Sequence, residues 1–262
     1  MYAASSTPSI AELRAATQPD SLFARNSGEH WAGRLYVRRL SPHLTLRLLP
    51  TRVTPNAVTW AMIAAGLLAA TVLTLPGVLA AFAAALLIQG QILLDCVDGE
   101  LARWRRQFSP AGIYLDRFAH FLTETALPIA LGIRADGGWD ELGGYTSLGL
   151  LAAVLALLVR MEIVLVHVAR AESGRPPLED SAATSAPRAS PLRRLRRALA
   201  FFPFFRAFVA VEATLLALAA ALLDLALGDL HATRVLVVAL VPVAAVTALG
   251  RLVAILGSER LR

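Results

Sequence analysis

The sequence contains no lysine and only one cysteine. All 25 basic residues are arginine, which together with the abundant alanine indicates a compositional bias of the genome rather than a functional device. Cys96 has no second cysteine with which to form a disulfide inside the chain, so the redox compartment is unconstrained. Residues 1–30 also lack a basic start followed by an apolar run, and we therefore expect no cleavable signal peptide.

Long apolar runs dominate the rest of the chain. Hydrophobic residues fill 56% of its 262 positions, above the roughly 45–50% of soluble domains, and the mean hydropathy is +0.60. A run of roughly 20 apolar residues can cross the hydrocarbon of a bilayer. Six such runs lie at about residues 55–75, 78–103, 110–133, 145–169, 208–227 and 233–256. We predict an all-α integral membrane protein with six transmembrane helices.

The segments outside these runs predict the remaining organisation. Residues 1–28 are small and polar and are typical of a flexible cytoplasmic tail. Residues 29–53 mix aliphatic, aromatic and arginine side chains, which favours an amphipathic juxtamembrane helix on the membrane surface over a soluble linker. The six-helix catalytic domain then covers residues 54–257, and residues 258–262 form a cytoplasmic C-terminus. The pairs Thr54-Pro55 and Ser109-Pro110 predict the first residues of two of the helices.

Arginine placement predicts the orientation in the membrane. The formal net charge is +6, but the arginines cluster beside the apolar runs, as in the basic run at residues 193–197, so anionic lipids are the expected partner and nucleic acid is not. Loops on one side carry most of the arginines, and those on the other carry only Arg134 and Arg234. The positive-inside rule then places both termini and the acidic segment described next on the cytoplasmic side, here of the plasma membrane.

An acidic segment joins the second and third runs, in the string DCVDGELARWRRQFSPAGIYLDRFAH of residues 95–120. Asp95 and Asp98 are three apart, and Asp116 and His120 are four apart, so each pair shares one face of its helix. Ionisable side chains at membrane depth mark functional sites by default. The two faces together could bind Mg²⁺ or Mn²⁺, with room for two ions. The alternative is a charge cluster that only holds two helices together.

Small and basic residues accompany the carboxylates. Gly99 and Ala102 lie on the turn that follows Asp98, and Gly112 lies on the partner helix, so that a bulky ligand can approach both backbones. Arg103 adds a planar set of donors suited to phosphate. Carboxylates, small residues and an arginine together suggest a metal-bound diphosphate.

The segment resembles the signature of the CDP-alcohol phosphotransferase family, Asp-x2-Asp-Gly-x2-Ala-Arg-x8-Gly-x3-Asp-x3-Asp. Seven positions are in register: Asp95, Asp98, Gly99, Ala102, Arg103, Gly112 and Asp116. The string TPNAVT at residues 54–59 resembles the opening of the family's first membrane helix, and the likeness covers about residues 30–257.

The resemblance implies a reaction and a set of roles. An acceptor hydroxyl would attack the phosphorus of a CDP-linked lipid, commonly CDP-diacylglycerol, at the cytoplasmic leaflet, and CMP would leave. Asp95, Asp98 and Asp116 would bind metal. Gly99, Ala102, Arg103 and Gly112 would hold the CDP moiety. Family members are often homodimers, so a homodimer is expected here.

The chain departs from the signature at its eighth position, where His120 replaces an aspartate. A neutral imidazole can accept a proton or ligate a metal, which makes His120 a candidate catalytic base or metal ligand. Glu124, one turn further along, could orient His120 or supply the missing negative charge. Because of this replacement, the alternative is that the protein is a catalytically silent relative of the family that serves as a membrane scaffold.

Arg160 lies deep in the fourth run and should face the interior of the helix bundle. As a hypothesis, it binds the phosphate of a small polar acceptor that carries one. The alternative is an ion pair with Glu162 or with another helix. An ion-coupled transporter is a further reading of the intramembrane acids, and it predicts carboxylates through the full membrane depth, such as Glu212 and Asp224.

Overall fold

A computed structural model describes residues 8–19, 31–176 and 204–261 of the chain. These residues form helices and connecting turns and contain no strand. Within the described residues there are eight α-helices: α1 Ile10–Thr17, α2 Arg38–Leu48, α3 Pro55–Leu73, α4 Val78–Arg105, α5 Pro110–Asp136, α6 Gly144–Glu172, α7 Ala210–Leu227 and α8 His231–Leu256. A π-helical stretch, Gly33–Val37, precedes α2, and 3-10 turns cover Phe204–Phe208 and Glu259–Leu261.

Five of these helices are long and apolar enough to cross a membrane: α3, α4, α6, α7 and α8. The prediction of an all-α integral membrane protein is thereby confirmed. Helix α5 is 27 residues long, about 40 Å at 1.5 Å per residue, but it carries Asp116, His120 and Glu124 and falls outside this apolar set. The predicted count of six spans is confirmed for five helices, and α5 as the sixth stays a prediction.

The two proline-marked helix starts are confirmed. Helix α3 begins at Pro55 and α5 begins at Pro110. Thr54 Oγ1 accepts a hydrogen bond from the Ala57 N–H at 3.2 Å, and Ser109 Oγ accepts one from the Gly112 N–H at 3.0 Å. These are the side-chain caps that the sequence pairs indicate.

The N-terminal tail differs from the prediction of a flexible segment, because part of it is helix α1. The Glu12 N–H donates to Ser9 Oγ at 3.2 Å, and the Ser9 N–H donates to Glu12 Oε2 at 2.8 Å, which completes a capping box. The backbone hydrogen bond from Ser9 is the main reason that the pKa of Glu12 lies below its usual value. Leu13 and Thr17 are fully buried. The prediction is wrong for residues 10–17, although the Ser-x-x-Glu pattern that starts the helix was visible in the sequence.

The predicted juxtamembrane segment is helical, as expected, through the π-helical stretch and α2. Val37 and Thr45 are buried, whereas Leu35 and Leu40 are 60% and 53% exposed. Its location on the membrane surface stays a prediction. The start of the segment at residues 29–30 and the basic run at 193–197 lie outside the described residues.

The chain divides into two compact units. The first contains residues 1–66 and 89–120, and the second contains residues 67–88 and 121–262. In the first unit, two small apolar clusters join the juxtamembrane segment to α4. Val97 and Leu101 pack with Val58 and with Leu44 and Leu48 of α2. Cys96 packs with Ala32 and Val37 and is buried in an apolar cluster that also includes aromatic side chains.

Charged side chains in the second unit bind the ends of its helices. Asp136 accepts hydrogen bonds from the backbone N–H of Gly143 and Thr146, at the start of α6. Asp224 does the same for Ala232 and Thr233 at the start of α8. Arg134 donates to two carbonyl oxygens of the α3–α4 turn, those of Leu75 and Gly77. Because a helix start leaves amide groups without intrahelical partners, these aspartates satisfy groups that are costly to leave unpaired.

Helices α5 and α6 approach each other so closely that only glycine fits at the crossing. A Cβ atom on Gly149 would lie 2.5 Å from the Pro128 carbonyl oxygen, and one on Gly132 would lie 2.5 Å from the Tyr145 carbonyl oxygen. Both obstacles are backbone atoms, which cannot rotate away. Small residues at a crossing allow this close backbone approach in membranes.

We predict that Gly149→Ala lowers the thermal stability of the protein in detergent, because α5 and α6 must separate to admit the methyl group. The expected cost is about 1–3 kcal/mol, the range for overpacking. Gly250→Ala in α8 is the matched control: no atom lies within 4 Å of its added Cβ, and alanine favours a helix over glycine by roughly 1 kcal/mol. Equal melting temperatures for the two variants would contradict the close crossing.

Candidate active site

Helices α4 and α5 bring together three of the predicted ligands. Asp95 lies on α4, and Asp116 and His120 lie one turn apart on α5. His120 Nε2 is 3.6 Å from Asp95 Oδ1 and 3.6 Å from Asp116 Oδ1. One ligand atom of each residue lies within 4.8 Å of the other two. The i, i+4 spacing on α5 explains why Asp116 and His120 face α4 together.

The three side chains are accessible. Asp95, Asp116 and His120 are 32%, 44% and 40% exposed. A purely structural charge cluster inside a membrane protein is expected to be buried and fully paired. An open cluster can instead admit a ligand without a rearrangement of the helices.

Asp98, the fourth predicted ligand, lies one turn after Asp95 but does not join the three-residue cluster. Its Oδ2 accepts a hydrogen bond from Thr59 Oγ1 at 2.6 Å. Thr59 is buried on α3, and the sequence analysis did not single out its side chain, although it ends the TPNAVT string. The hydroxyl therefore fixes the orientation of the Asp98 carboxylate from a third helix.

The predicted small residues lie at close approaches. A Cβ on Gly112 would lie 3.1 Å from Asn56 Oδ1, so glycine lets the start of α5 pack beside the start of α3. A Cβ on Gly99 would lie 3.0 Å from Nη2 and 3.1 Å from Nη1 of Arg103. The Arg103 guanidinium thus folds back over Gly99, and the nearby Ala102 is partly buried.

Arg103 also contacts the N-terminal helix. Its Nε donates a hydrogen bond to the Thr17 carbonyl oxygen, at the end of α1, at 2.5 Å. The sequence predicted the arginine as a phosphate donor but did not predict this partner, because α1 was taken to be a flexible tail.

Glu100 is a further residue that the sequence analysis missed. Its side chain is fully buried, and its carboxylate accepts hydrogen bonds from Gln18 Nε2 at 2.8 Å, Ser41 Oγ at 2.5 Å and Thr45 Oγ1 at 2.6 Å. It lies at an unspecified position of the signature, so the motif gave no signal for it. A charged residue directly after Asp98-Gly99 was the available hint.

In the second unit, Glu124 and Arg160 form an ion pair. Arg160 donates from Nε and Nη2 to the two carboxylate oxygens of Glu124, which is almost fully buried. Glu124 was predicted to orient His120 or to supply the missing negative charge. Both of its carboxylate oxygens accept hydrogen bonds from Arg160, and the two predicted roles stay predictions. Of the alternatives for Arg160, an ion pair with another helix is the one observed, and Glu162 instead interacts electrostatically with Arg251.

A small pocket surrounds this ion pair. Glu124, Arg160 and Arg251 line it together with Ala156, Val159 and Phe208. Arg251 Nη1 also donates to the Val159 carbonyl oxygen at 3.0 Å. The pocket walls therefore carry two guanidinium groups and one carboxylate.

These features define a multi-pass helical membrane protein with a carboxylate–imidazole cluster at the junction of two helices. A family model for CDP-alcohol phosphatidyltransferases matches residues 52–249, well over half of the chain and all of the cluster. The chain belongs to the CDP-alcohol phosphatidyltransferase family. Membership supports a transferase of phospholipid biosynthesis that moves a phosphatidyl group from a CDP-alcohol within the membrane. No curated protein matches the chain.

The residues of the cluster fit a divalent cation. Two carboxylates and an imidazole lie close enough to share one ion, and carboxylate oxygens are the ligands that Mg²⁺ and Mn²⁺ prefer. Imidazole also ligates transition metals, so Mn²⁺ is a suitable probe.

We predict that Asp116→Asn weakens Mn²⁺ binding by at least tenfold. Removal of a residue that only hydrogen-bonds a metal ligand already lowers metal affinity about 10–100-fold. Binding can be followed by electron paramagnetic resonance of free Mn²⁺ in detergent solution. Asp140→Asn, the same change at an exposed loop position, should bind as the wild type does. Unchanged Mn²⁺ affinity in Asp116→Asn would exclude this cluster as the metal site.

Proposed function

We propose that the protein is a divalent-metal-dependent transferase that moves a phosphatidyl group from CDP-diacylglycerol to the hydroxyl of a small polar acceptor and releases CMP. The observation that carries the proposal is the approach of His120 to Asp95 and Asp116 within a signature segment of the family.

Asp95, Asp116 and His120 are the proposed metal ligands of the described cluster, and Asp98 is a third carboxylate held one turn away by Thr59. When bound, Mg²⁺ or Mn²⁺ neutralises charge on the diphosphate of the donor. Two ions are proposed, because carboxylates from two helices can hold a pair. Gly99, Ala102 and Gly112 leave room for CDP, and Arg103 donates to its phosphates.

The alternative proposed role of His120 is that of the base, because one imidazole nitrogen cannot ligate a metal and accept a proton at the same time. The acceptor oxygen forms a bond to the phosphorus that carries the lipid alcohol, the bond from that phosphorus to the CMP oxygen breaks, and His120 Nε2 takes the hydroxyl proton. Its position 3.6 Å from each of two carboxylates supports this role, because they stabilise the imidazolium that forms. Histidine thus replaces the proton-accepting function of an aspartate while adding no negative charge.

The membrane orientation is proposed from the arginines. Arg38 interacts electrostatically with Asp95 of the cluster, and Arg105 lies in the last turn of α4, the helix that carries Asp95. By the positive-inside rule the cluster faces the cytoplasmic leaflet of the plasma membrane, where anionic lipids contact the arginines, and both termini are cytoplasmic. A homodimer is proposed from the family resemblance alone.

The acceptor is proposed to carry a phosphate, and the pocket around Arg160 supports this. The pocket wall carries the guanidinium groups of Arg160 and Arg251, of which the first pairs with Glu124 and the second interacts with Glu162. Planar guanidinium donors are suited to binding a phosphate. The ion pair with Glu124 fixes the position of the Arg160 guanidinium.

We predict that the wild type releases CMP from CDP-diacylglycerol only when Mg²⁺ or Mn²⁺ and a matching acceptor are present. Asp98→Ala should abolish release, His120→Ala should lose transfer, and His120→Asp should retain part of it. The measurement is CMP release by the wild type and the three variants across a panel of acceptors, with Asp140→Asn as the control.

The same variants, measured for both Mn²⁺ binding and CMP release, distinguish the alternatives. Normal Mn²⁺ binding in inactive His120→Ala would assign His120 as the base, and lost binding would assign it as a ligand. Full activity in His120→Ala removes both roles. No CMP from any CDP-linked donor would leave the silent scaffold as the better description.

We further predict that replacing the Glu124–Arg160 pair by two glutamines raises the KM for the acceptor at least about tenfold, the weight of a charged hydrogen bond, and leaves the KM for the donor unchanged. The double change avoids stranding a buried carboxylate, which would unfold the protein for unrelated reasons. Arg175→Gln, at an exposed arginine, is the control. An unchanged acceptor KM would assign the pair to stability alone.

A further inference from the structure

The guanidinium of Arg103 is held from both sides in the first unit. Its Nε donates to the Thr17 carbonyl oxygen at 2.5 Å, and its Nη1 and Nη2 lie over Gly99, 3.1 and 3.0 Å from the point that a Cβ would occupy. Because the guanidinium is planar, fixing Nε fixes the plane of the two terminal nitrogens as well. The contact with α1 therefore sets the orientation of the Arg103 guanidinium.

Helix α1 in turn is docked through Gln18, the residue that follows it. Gln18 Nε2 donates to Glu100 Oε1 at 2.8 Å and to the Arg38 carbonyl oxygen at 3.0 Å. Arg14 Nη2 donates to the Arg39 carbonyl oxygen at 3.0 Å. Leu13 is the buried aliphatic side chain of α1, so polar contacts supply most of the specificity of docking.

Glu100 makes this docking depend on the signature segment itself. It follows Gly99 directly, and it is fully buried with acceptor bonds to Gln18, Ser41 and Thr45. A buried carboxylate is tolerated only when its hydrogen bonds are satisfied. The signature segment thus makes two separate contacts. The Arg103 guanidinium lies over Gly99, and the Glu100 carboxylate binds Gln18, which follows α1.

We propose that α1 with Gln18 is a positioning element that holds the Arg103 guanidinium ready for the diphosphate of CDP, so that Gln18 determines donor affinity without touching the donor. The inference rests on the proposed function, since it takes CDP as the ligand. A long arginine side chain loses up to roughly 2 kcal/mol of rotamer freedom when it is immobilised. An arginine fixed before the ligand arrives avoids that loss on binding.

Titration calorimetry of full-length protein with CDP and Mn²⁺ tests the proposal. We expect Gln18→Ala to weaken CDP binding about tenfold, the weight of a charge-assisted hydrogen bond, and to raise the donor KM while leaving kcat within about twofold. Gln107→Ala, at an exposed glutamine between α4 and α5, should bind CDP as the wild type does.

A double-mutant cycle distinguishes positioning from a general loss of structure. If Gln18 acts through Arg103, Gln18→Ala in an Arg103→Ala background should change CDP affinity by less than about twofold. Equal losses in both backgrounds, or tighter CDP binding in Gln18→Ala, would overturn the positioning role. A wild type that binds no CDP would overturn the proposed function and this inference together, whereas wild-type binding with an unaffected Gln18→Ala would overturn the inference alone.

Discussion

Ionisable side chains inside apolar helices set the constraint on which this structure depends, because a charge away from water needs a partner. Arg160 is paired with Glu124, and Glu100 is satisfied by an amide and two hydroxyls. The three residues Asp95, Asp116 and His120 differ, since two carboxylates share one imidazole and remain partly exposed. Partial exposure thus distinguishes this cluster, the proposed cation site, from the buried carboxylates of Glu100 and Glu124.

The helices and the juxtaposition of α4 with α5 could be predicted because both depend on local periodicity. Apolar length gave the spans, the Thr-Pro and Ser-Pro pairs gave two helix starts, and spacings of three and four residues placed side chains on common faces. What could not be predicted depends on tertiary pairing. Nothing local to Glu124 indicates that Arg160, thirty-six residues later, binds it, and nothing in the signature indicates that Glu100 binds Gln18.

The N-terminal helix shows how composition can mislead. Small polar residues suggested a flexible tail, yet the Ser9–Glu12 capping box starts a helix of eight residues. An isolated helix of that length is unstable in water, so its stability depends on contacts with α2 and α4. The polar surface that suggested disorder supplies those contacts, because Arg14 and Gln18 donate to carbonyl oxygens of α2. Polarity in a terminal segment of a membrane protein can therefore indicate a docking surface.

The carboxylates of Asp136 and Asp224 bear on how the chain enters the bilayer. Each belongs to one helix and accepts hydrogen bonds from backbone amides at the start of the next, across the short connection between them. Exposed amides at a helix start are costly to carry into lipid. An aspartate that binds these amides satisfies part of the next helix start from within the same pair of helices. Helices α7 and α8, both long and apolar enough to cross a membrane, can therefore enter the bilayer together as a hairpin whose connection is already hydrogen-bonded.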